Sequence, residues 1–305
     1  MQPDVTVLIA AFNAGDTIGR AIDSALAQRG VSVEVVVADD CSTDRTVEIA
    51  ARYPRDRVRV VELETNRGPG GARNAAFAIA SGRWVAVLDA DDTIHPERLA
   101  RMVRRAEAAD AQVAVDNLEV VREDAGRNEP MFSPEHLEAL PEISLAELIG
   151  TSRLFESTFS YGYMKPVFDR RFLKEAGLRY DETLRIGEDY IFLASALARG
   201  GRCVVEPGAF YRYHVRAGSI SRVLEAHHVE AMLAADAAFL RDHDLDAPTL
   251  AAQARRTRSL RRGASFLSLV DHIKRRAPLK AAGVALRDPA ALRHLGMPIA
   301  ARLRR

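Results

Sequence analysis

The stretch Arg83-Trp-Val-Ala-Val-Leu-Asp-Ala-Asp-Asp92 decides how this chain is read. An apolar run with the look of a buried strand passes directly into a cluster of carboxylates. Side chains at i and i+2 of an extended segment leave it on the same side, so Asp89 and Asp91 can face one ligand. Hard divalent cations prefer oxygen ligands of this kind. A plain turn also gathers aspartates after a strand. The surrounding sequence has to decide between the two.

Toward the N-terminus lie three more strand–helix units. Residues 5–11 and 33–38 are short apolar runs that read as strands, and residues 58–63 read as a third. Between the first two, Ile18, Ala21, Ile22, Ala25 and Leu26 have helical spacing. Ser42-Thr43-Asp44 reads as a helix start, and Pro69-Gly70-Gly71 breaks the chain before a helix over residues 72–80. Beyond the acidic cluster, Pro96 starts a helix to about residue 109. This alternation predicts an α/β fold with a Rossmann-like, mostly parallel central sheet flanked by helices. In such sheets ligands bind beyond the carboxyl ends of the strands. Two of the four strands end there in paired acids, Asp39-Asp40 and the Asp89 cluster.

Toward the C-terminus the pattern loosens. Residues 122–140 read as an excursion or mobile loop. Residues 144–149 and 189–198 read as helices, 161–168 as strand or loop, and 203–206 as a strand. Beyond residue 221 the chain is Ala-, Leu- and Arg-rich and mostly helical. A boundary is drawn near Arg222. It separates a domain over 1–222, with halves meeting at about 120, from a basic helical region over 223–305.

Several residues carry chemistry in this frame. Asp39 and Asp40 can accept hydrogen bonds from a base or ribose, although Ser42, Thr43 or Asp44 can simply cap a helix. Gly187-Glu188-Asp189 precedes an apolar helix. Asp189 either caps that helix or serves as a general base for an attacking hydroxyl. The Gly-rich segment 68–74 lacks the endings of a P-loop or a dinucleotide site. In the segment 211–221, His214 can ligate a metal and Arg216 can contact a diphosphate.

Taken in order, these pieces resemble the glycosyltransferase family 2 pattern, a family with the GT-A fold. The resemblance rests on Ala10-Ala-Phe-Asn13, Val35-Val-Val-Ala-Asp-Asp-Cys-Ser-Thr-Asp44, Asn66-Arg-Gly-Pro-Gly-Gly-Ala-Arg-Asn74, Leu88-Asp-Ala-Asp-Asp92, Gly187-Glu-Asp189 and Gly218-Ser-Ile-Ser221. It implies an inverting transferase that uses a nucleotide-diphosphate sugar, most often a uridine one, and a Mg²⁺ or Mn²⁺ cofactor. Carried over by position, Phe12 and Asn13 lie at the nucleotide, with Phe12 stacking on the base and Asp39 binding it. Arg73 lies on the nucleotide side, and Asp89 lies near the ribose and the metal. Asp91 holds the metal at the diphosphate, with His214 as a further candidate ligand. Asp189 is the base, with Glu188 beside it. Ala11 and Cys41 depart from the Pro and Gly usual at those places, and Arg216 matches the basic C-terminal position better than His214 by its spacing. Residues 122–180 are expected to shape the acceptor pocket.

Two rivals are weighed. Asp89-Ala-Asp-Asp-Thr93 also fits the DxDxT motif of haloacid-dehalogenase-type phosphatases, but there the motif normally follows the first strand, and Asp39-Asp40 would have no role. The second rival is an inactive transferase fold that only binds sugar nucleotides. It is disfavoured because every carboxylate of the pattern is present.

Composition bounds the rest. With 305 residues, 48% of them hydrophobic and 28% charged, the chain is an ordinary globular protein. That excludes disordered, collagen-like and coiled-coil classes. Cys41 and Cys203 make no disulfide framework or metal pair. No apolar run approaches the ~18–20 residues that cross a bilayer, and no secretory signal opens the chain, so a cytoplasmic protein is expected. The formal charge of +1 hides a division. Residues 254–305 carry 14 Lys and Arg against two acids, and the remainder carries 29 against 40. Such a tail reads either as a basic amphipathic element on an anionic membrane, which would bring a lipid-linked acceptor to the site, or as a helical packing region. Nucleic acid is not expected, since few aromatics accompany the bases.

Overall fold

The computed structural model describes residues 2–122, 127–155, 160–215, 224–289 and 292. Its first half follows the apolar runs. Strands β1 (Val5–Ala11), β2 (Val33–Asp39), β3 (Val58–Glu62) and β4 (Trp84–Asp89) alternate with helices α1 (Ile18–Leu26), α2 (Thr46–Ala50) and α3 (Gly68–Ile79). These strands lie in the order β3-β2-β1-β4, all parallel. Helices on both faces leave β1 and β4 buried almost throughout, which is why they read as continuous Val/Ile/Leu/Ala runs. The register sets the rim. Ala11 pairs with Asp39, and Ala10 pairs with Asp89, so the paired acids finish side by side at the carboxyl edge.

The second half completes a nine-stranded sheet. The short β5 (Thr93–Ile94) precedes α4 (Arg98–Ala108). Then come β6 (Val113–Arg122), β7 (Arg127–Pro130), α5 (Pro134–Glu138) and α6 (Leu145–Thr151), followed by a 3-10 turn over Tyr161–Tyr163. The chain continues through β8 (Val167–Asp169), α7 (Arg170–Glu175), α8 (Glu188–Ala198) and β9 (Cys203–His214). β8 lies antiparallel between β4 and β6, and β9 runs parallel to β6. The supposed excursion over 122–140 is in part a hairpin: β7 pairs antiparallel with β6, and Met131, Phe132 and Leu137 are buried. β9 extends past the expected end at Glu206 because the ladder shifts register opposite Asp116 and Asn117, which lets Pro207-Gly208 pass as a bulge. The bulge returns Tyr211 and His214 toward the rim.

The C-terminal region forms α9 (Ala226–Asp242), α10 (Ala247–Lys274) and α11 (Pro278–Arg287). Val229, Met232, Ala235, Phe239, Ala252 and Leu260 belong to the same hydrophobic core as the sheet strands. One stripe of α10, including Ala252, Arg256, Leu260, Gly263 and Phe266, is buried, at the spacing of one helix face. A side chain at Gly263 would collide with Leu154 Cδ2, so helix and loop pack closely there. Arg256 is not part of a basic surface. It is buried, donates to Asp236 Oδ2 at 2.9 Å and to the Ser152 carbonyl, and lies 3.8 Å over the Tyr190 ring. Among the described residues no helix is long and apolar enough to cross a membrane.

Cys41, at the turn after β2, has φ +69°. A Cβ in this left-handed region costs roughly 1 kcal/mol. Because Cys41 is exposed, Cys41→Gly loses no burial. The variant is expected to be more stable by up to about 1 kcal/mol, read as a higher Tm. An unchanged or lower Tm would mean that the turn is not strained.

Candidate active site

The site is assembled around Arg73 of α3, which is 4% exposed. The Gly-rich run before it is the helix's first turn rather than a break. Gly70 has to be small, because a Cβ there would lie 2.9 Å from the Asp181 carbonyl. The amides that open α3 do not await a phosphate: Asp40 Oδ1 accepts from Arg67 N at 2.6 Å, and Oδ2 accepts from Gly68 N at 2.8 Å. Asp40 therefore anchors the helix that carries Arg73.

Arg73 reaches three acids from distant parts of the chain. Its Nη2 donates to Asp89 Oδ1 at 2.8 Å. Its Nη1 lies 2.6 Å from Glu188 Oε1 and 3.0 Å from Asp189 Oδ1. Lys165, between the 3-10 turn and β8, closes the cluster from the other side, with Nζ 2.8 Å from Asp89 Oδ2 and 2.7 Å from Asp189 Oδ2. Three carboxylates thus share two buried cations. Burial opposes the charge on Asp89, but Lys165 and Arg73 outweigh it and hold its carboxyl at about 2. Burial likewise opposes the charge on Lys165, and Asp189 and Asp89 more than compensate, so its ammonium is held above the usual range. Burial and the neighbouring Asp189 charge push Glu188 up, against Arg73.

Local sequence explains these placements. Gly187, at φ +93°, turns the chain into α8, so Glu188 and Asp189 fall in its first turn, where the helix dipole favours acids. Asp189 does not cap α8, and its carboxylate faces Arg73 and Lys165 instead. Lys165 is fixed by its own backbone. Arg98, fully buried, donates to the Lys165 carbonyl and holds Asp116 in a two-pronged pair at 2.8 Å. Nothing in the spacing around Lys165 distinguishes it, and sequence reading missed it. The apolar flanks Met164 and Val167 around a lone lysine were the only hint.

The acidic cluster divides its work. Asp89 belongs to the cation pair just described. Asp92 is buried: its Oδ2 accepts from Tyr211 Oη at 2.8 Å and its Oδ1 from His214 N at 2.8 Å. Burial first, then the Asp89 and Asp91 charges, raise its pKa. Asp91 stays half-buried at the rim, and its carbonyl accepts from Arg20 Nη2 at 3.1 Å. The expected trio of metal ligands is not brought together. The His214 ring is buried against Thr93, Nε2 to Oγ1 3.0 Å, and Asp89 is engaged by the cations. Among the described residues no three His, Cys, Asp or Glu side chains are grouped to hold an ion. The chemistry that fits is the other common one for Mg²⁺, a single carboxylate completed by substrate phosphates.

The neighbouring rim carries the residues expected at the base. Asp39 is 3% exposed, and its Oδ2 accepts from Ser42 N at 2.9 Å. Its Oδ1 is buried and has no hydrogen-bond partner among the described residues. An orphaned carboxylate oxygen is costly unless a ligand supplies the donor. Phe12 follows the β1 residue that pairs with Asp39, and it is 49% exposed. Asn13, at φ +48°, ties two loops together: its Oδ1 accepts from Thr43 N at 2.9 Å, and its N donates to Ser42 Oγ at 2.8 Å. Arg216 and the segment 218–221 lie outside the described residues.

The sequence model of the family described as Glycosyl transferase family 2 matches residues 6–172. The chain is 59% identical over 303 residues to the "Succinoglycan biosynthesis protein ExoO" of Rhizobium meliloti (strain 1021), covering 99% of this chain and 87% of that protein. It is 29% identical to the "UDP-Glc:alpha-D-GlcNAc-diphosphoundecaprenol beta-1,3-glucosyltransferase WfaP" of Escherichia coli, over 71% of this chain and 79% of that one. Among solved structures, S. aureus TarS 1-349 in complex with UDP-GlcNAc superposes with a TM-score of 0.65 at 21% identity, covering 94% of this chain and 92% of that one. The fold is therefore the curled, mostly parallel α/β sheet of such enzymes.

Proposed function

We infer the reaction from one premise: the chain belongs to glycosyltransferase family 2 and is a glycosyltransferase. On that premise the enzyme moves a sugar from a uridine-diphosphate sugar to a hydroxyl of a growing glycan, carried on a lipid, with inversion at the anomeric carbon. The observation that carries this reading is the convergence of Asp89, on the donor side of the sheet, with Glu188 and Asp189 on the same two buried cations. A phosphatase reading of the Asp89 cluster offers no reason for that convergence and does not agree with the family.

Each residue then has a task. Phe12 stacks on the base, and the orphaned Asp39 oxygen accepts from its imide N–H. Arg73 and Lys165 hold the Asp89 and Asp189 carboxylates in fixed relation, so the donor sugar and the acceptor oxygen meet in one geometry. Asp189 takes the acceptor hydroxyl proton while that oxygen bonds to the anomeric carbon from the side opposite the diphosphate. Glu188 balances Arg73. Asp91 would hold Mg²⁺ or Mn²⁺ beside the diphosphate, and the ion would offset the charge developing on that leaving group. One displacement on an α-linked donor gives a β-linked product, the linkage in the name of the E. coli relative. The names of the two relatives support a role in polysaccharide assembly.

The test is a thermal-shift panel of UDP-, GDP- and CDP-sugars, each with and without Mn²⁺. The largest shift is expected with a UDP-sugar in Mn²⁺. Asp39→Asn should weaken that binding about 10- to 100-fold, since it removes a charged acceptor. A larger shift with a GDP- or CDP-sugar, or equal shifts for wild type and variant, would overturn the base assignment.

A further inference from the structure

We propose that α11 and the end of α10 form a docking face for an anionic lipid bilayer. No residue of α11 is buried. Leu279 and Leu286 are 88% and 82% exposed, and positions seven apart share one helix face. Ala282, also exposed, lies between them on that face, and Ile273 at the end of α10 adds a side chain 52% exposed. A single surface leucine needs no explanation, but an apolar ridge along a terminal helix marks an interaction site.

The charges around the ridge identify its occupant. Lys274, Arg275, Arg276, Lys280 and Arg287 are all exposed. Of the nearby acids, Asp271 is already bonded to Arg275 at 2.9 Å. A second copy docking through this same face would bring like cations against these and be repelled. Anionic headgroups would instead meet the cations while the leucines enter the boundary between headgroups and acyl chains. The long Lys and Arg stems suit this, since their apolar parts lie along the ridge and their charges reach water. The charge division orients the molecule as well. Outside residues 254–305 the chain has 40 acids against 29 bases, so an anionic surface repels the body and attracts this end. Arg256 is buried and takes no part in this surface, although Arg255, Arg258 and Arg261 are exposed farther along α10. The inference deepens the lipid-linked acceptor reading and rests on it for the membrane's purpose.

The full chain is sedimented with vesicles of phosphatidylcholine alone, or of phosphatidylcholine with about one-third phosphatidylglycerol. Binding is expected only to the anionic vesicles and should fall several-fold as salt rises from about 0.1 to about 0.5 M. Leu279→Glu/Leu286→Glu should lower partitioning about tenfold or more. Lys280→Glu/Arg287→Glu should do the same and leaves the apolar ridge in place. Both variants should keep the wild-type thermal shift with a UDP-sugar, which separates failure of docking from failure of the transferase reading. A wild-type chain that stays in solution with anionic vesicles overturns the proposal, as do variants that sediment like wild type. Light scattering showing a dimer that the leucine variant splits, without vesicle binding, would assign the face to a second copy and overturn it too.

Discussion

Asp189→Asn is expected to lower turnover about a thousandfold while leaving UDP-sugar affinity within about twofold. The isosteric amide cannot take the acceptor proton, but it hardly disturbs the architecture. Arg73 keeps Asp89 and Glu188, and Lys165 keeps Asp89 at 2.8 Å, so neither buried cation is stranded. The residues proposed to hold the base, Phe12 and Asp39, stand at the carboxyl ends of β1 and β2. In the resting protein Asp189 pairs with both Arg73 and Lys165. The acceptor hydroxyl gives up its proton as its bond to carbon forms, when it is most acidic. The measurement is a single-turnover rate beside a calorimetric donor titration. A large loss of donor affinity would make Asp189 a structural element, and turnover within tenfold of wild type would move the base elsewhere.

Much of this was legible from the sequence because the first half of the chain is built from local signals. β1, β2 and β4 are largely apolar runs buried on both faces, and the last two end in the rim acids Asp39 and Asp89. The second half hides its logic in distance. β6 carries Asp116 and Asn117 in its buried interior, where polar residues blur a strand pattern, and each is matched by a partner far along the chain or across a hairpin. Pro207-Gly208 looks like the end of a strand and is a bulge within one. Lys165 has no motif, because its meaning comes only from Asp89 and Asp189 arriving beside it. The same reason separates Asp39 from Asp40. They are adjacent in sequence, yet one carboxylate is spent on the amides that open α3 and the other keeps an unmatched oxygen.

Asp91→Ala is expected to abolish the dependence of donor binding on Mn²⁺ and to lower turnover about a thousandfold. The acidic cluster contains three aspartates, and the structure distinguishes their roles. Removing Asp89 would leave Arg73 and Lys165 short of a counter-charge, and removing Asp92 would strand the Tyr211 hydroxyl and the His214 amide in the interior. Either change would damage the protein for reasons unrelated to an ion. Asp91 sits half-buried at the rim, and its loss leaves those buried pairs in place. Calorimetric titration of a UDP-sugar, with Mn²⁺ or with chelator, gives the answer for wild type and variant in one set of measurements. Wild type should bind more tightly with Mn²⁺, and the variant should bind equally weakly in both. Wild-type turnover that persists in chelator, or a variant whose donor affinity still rises with Mn²⁺, would remove Asp91 from the diphosphate and leave Arg73 and Lys165 as the cations nearest the leaving group.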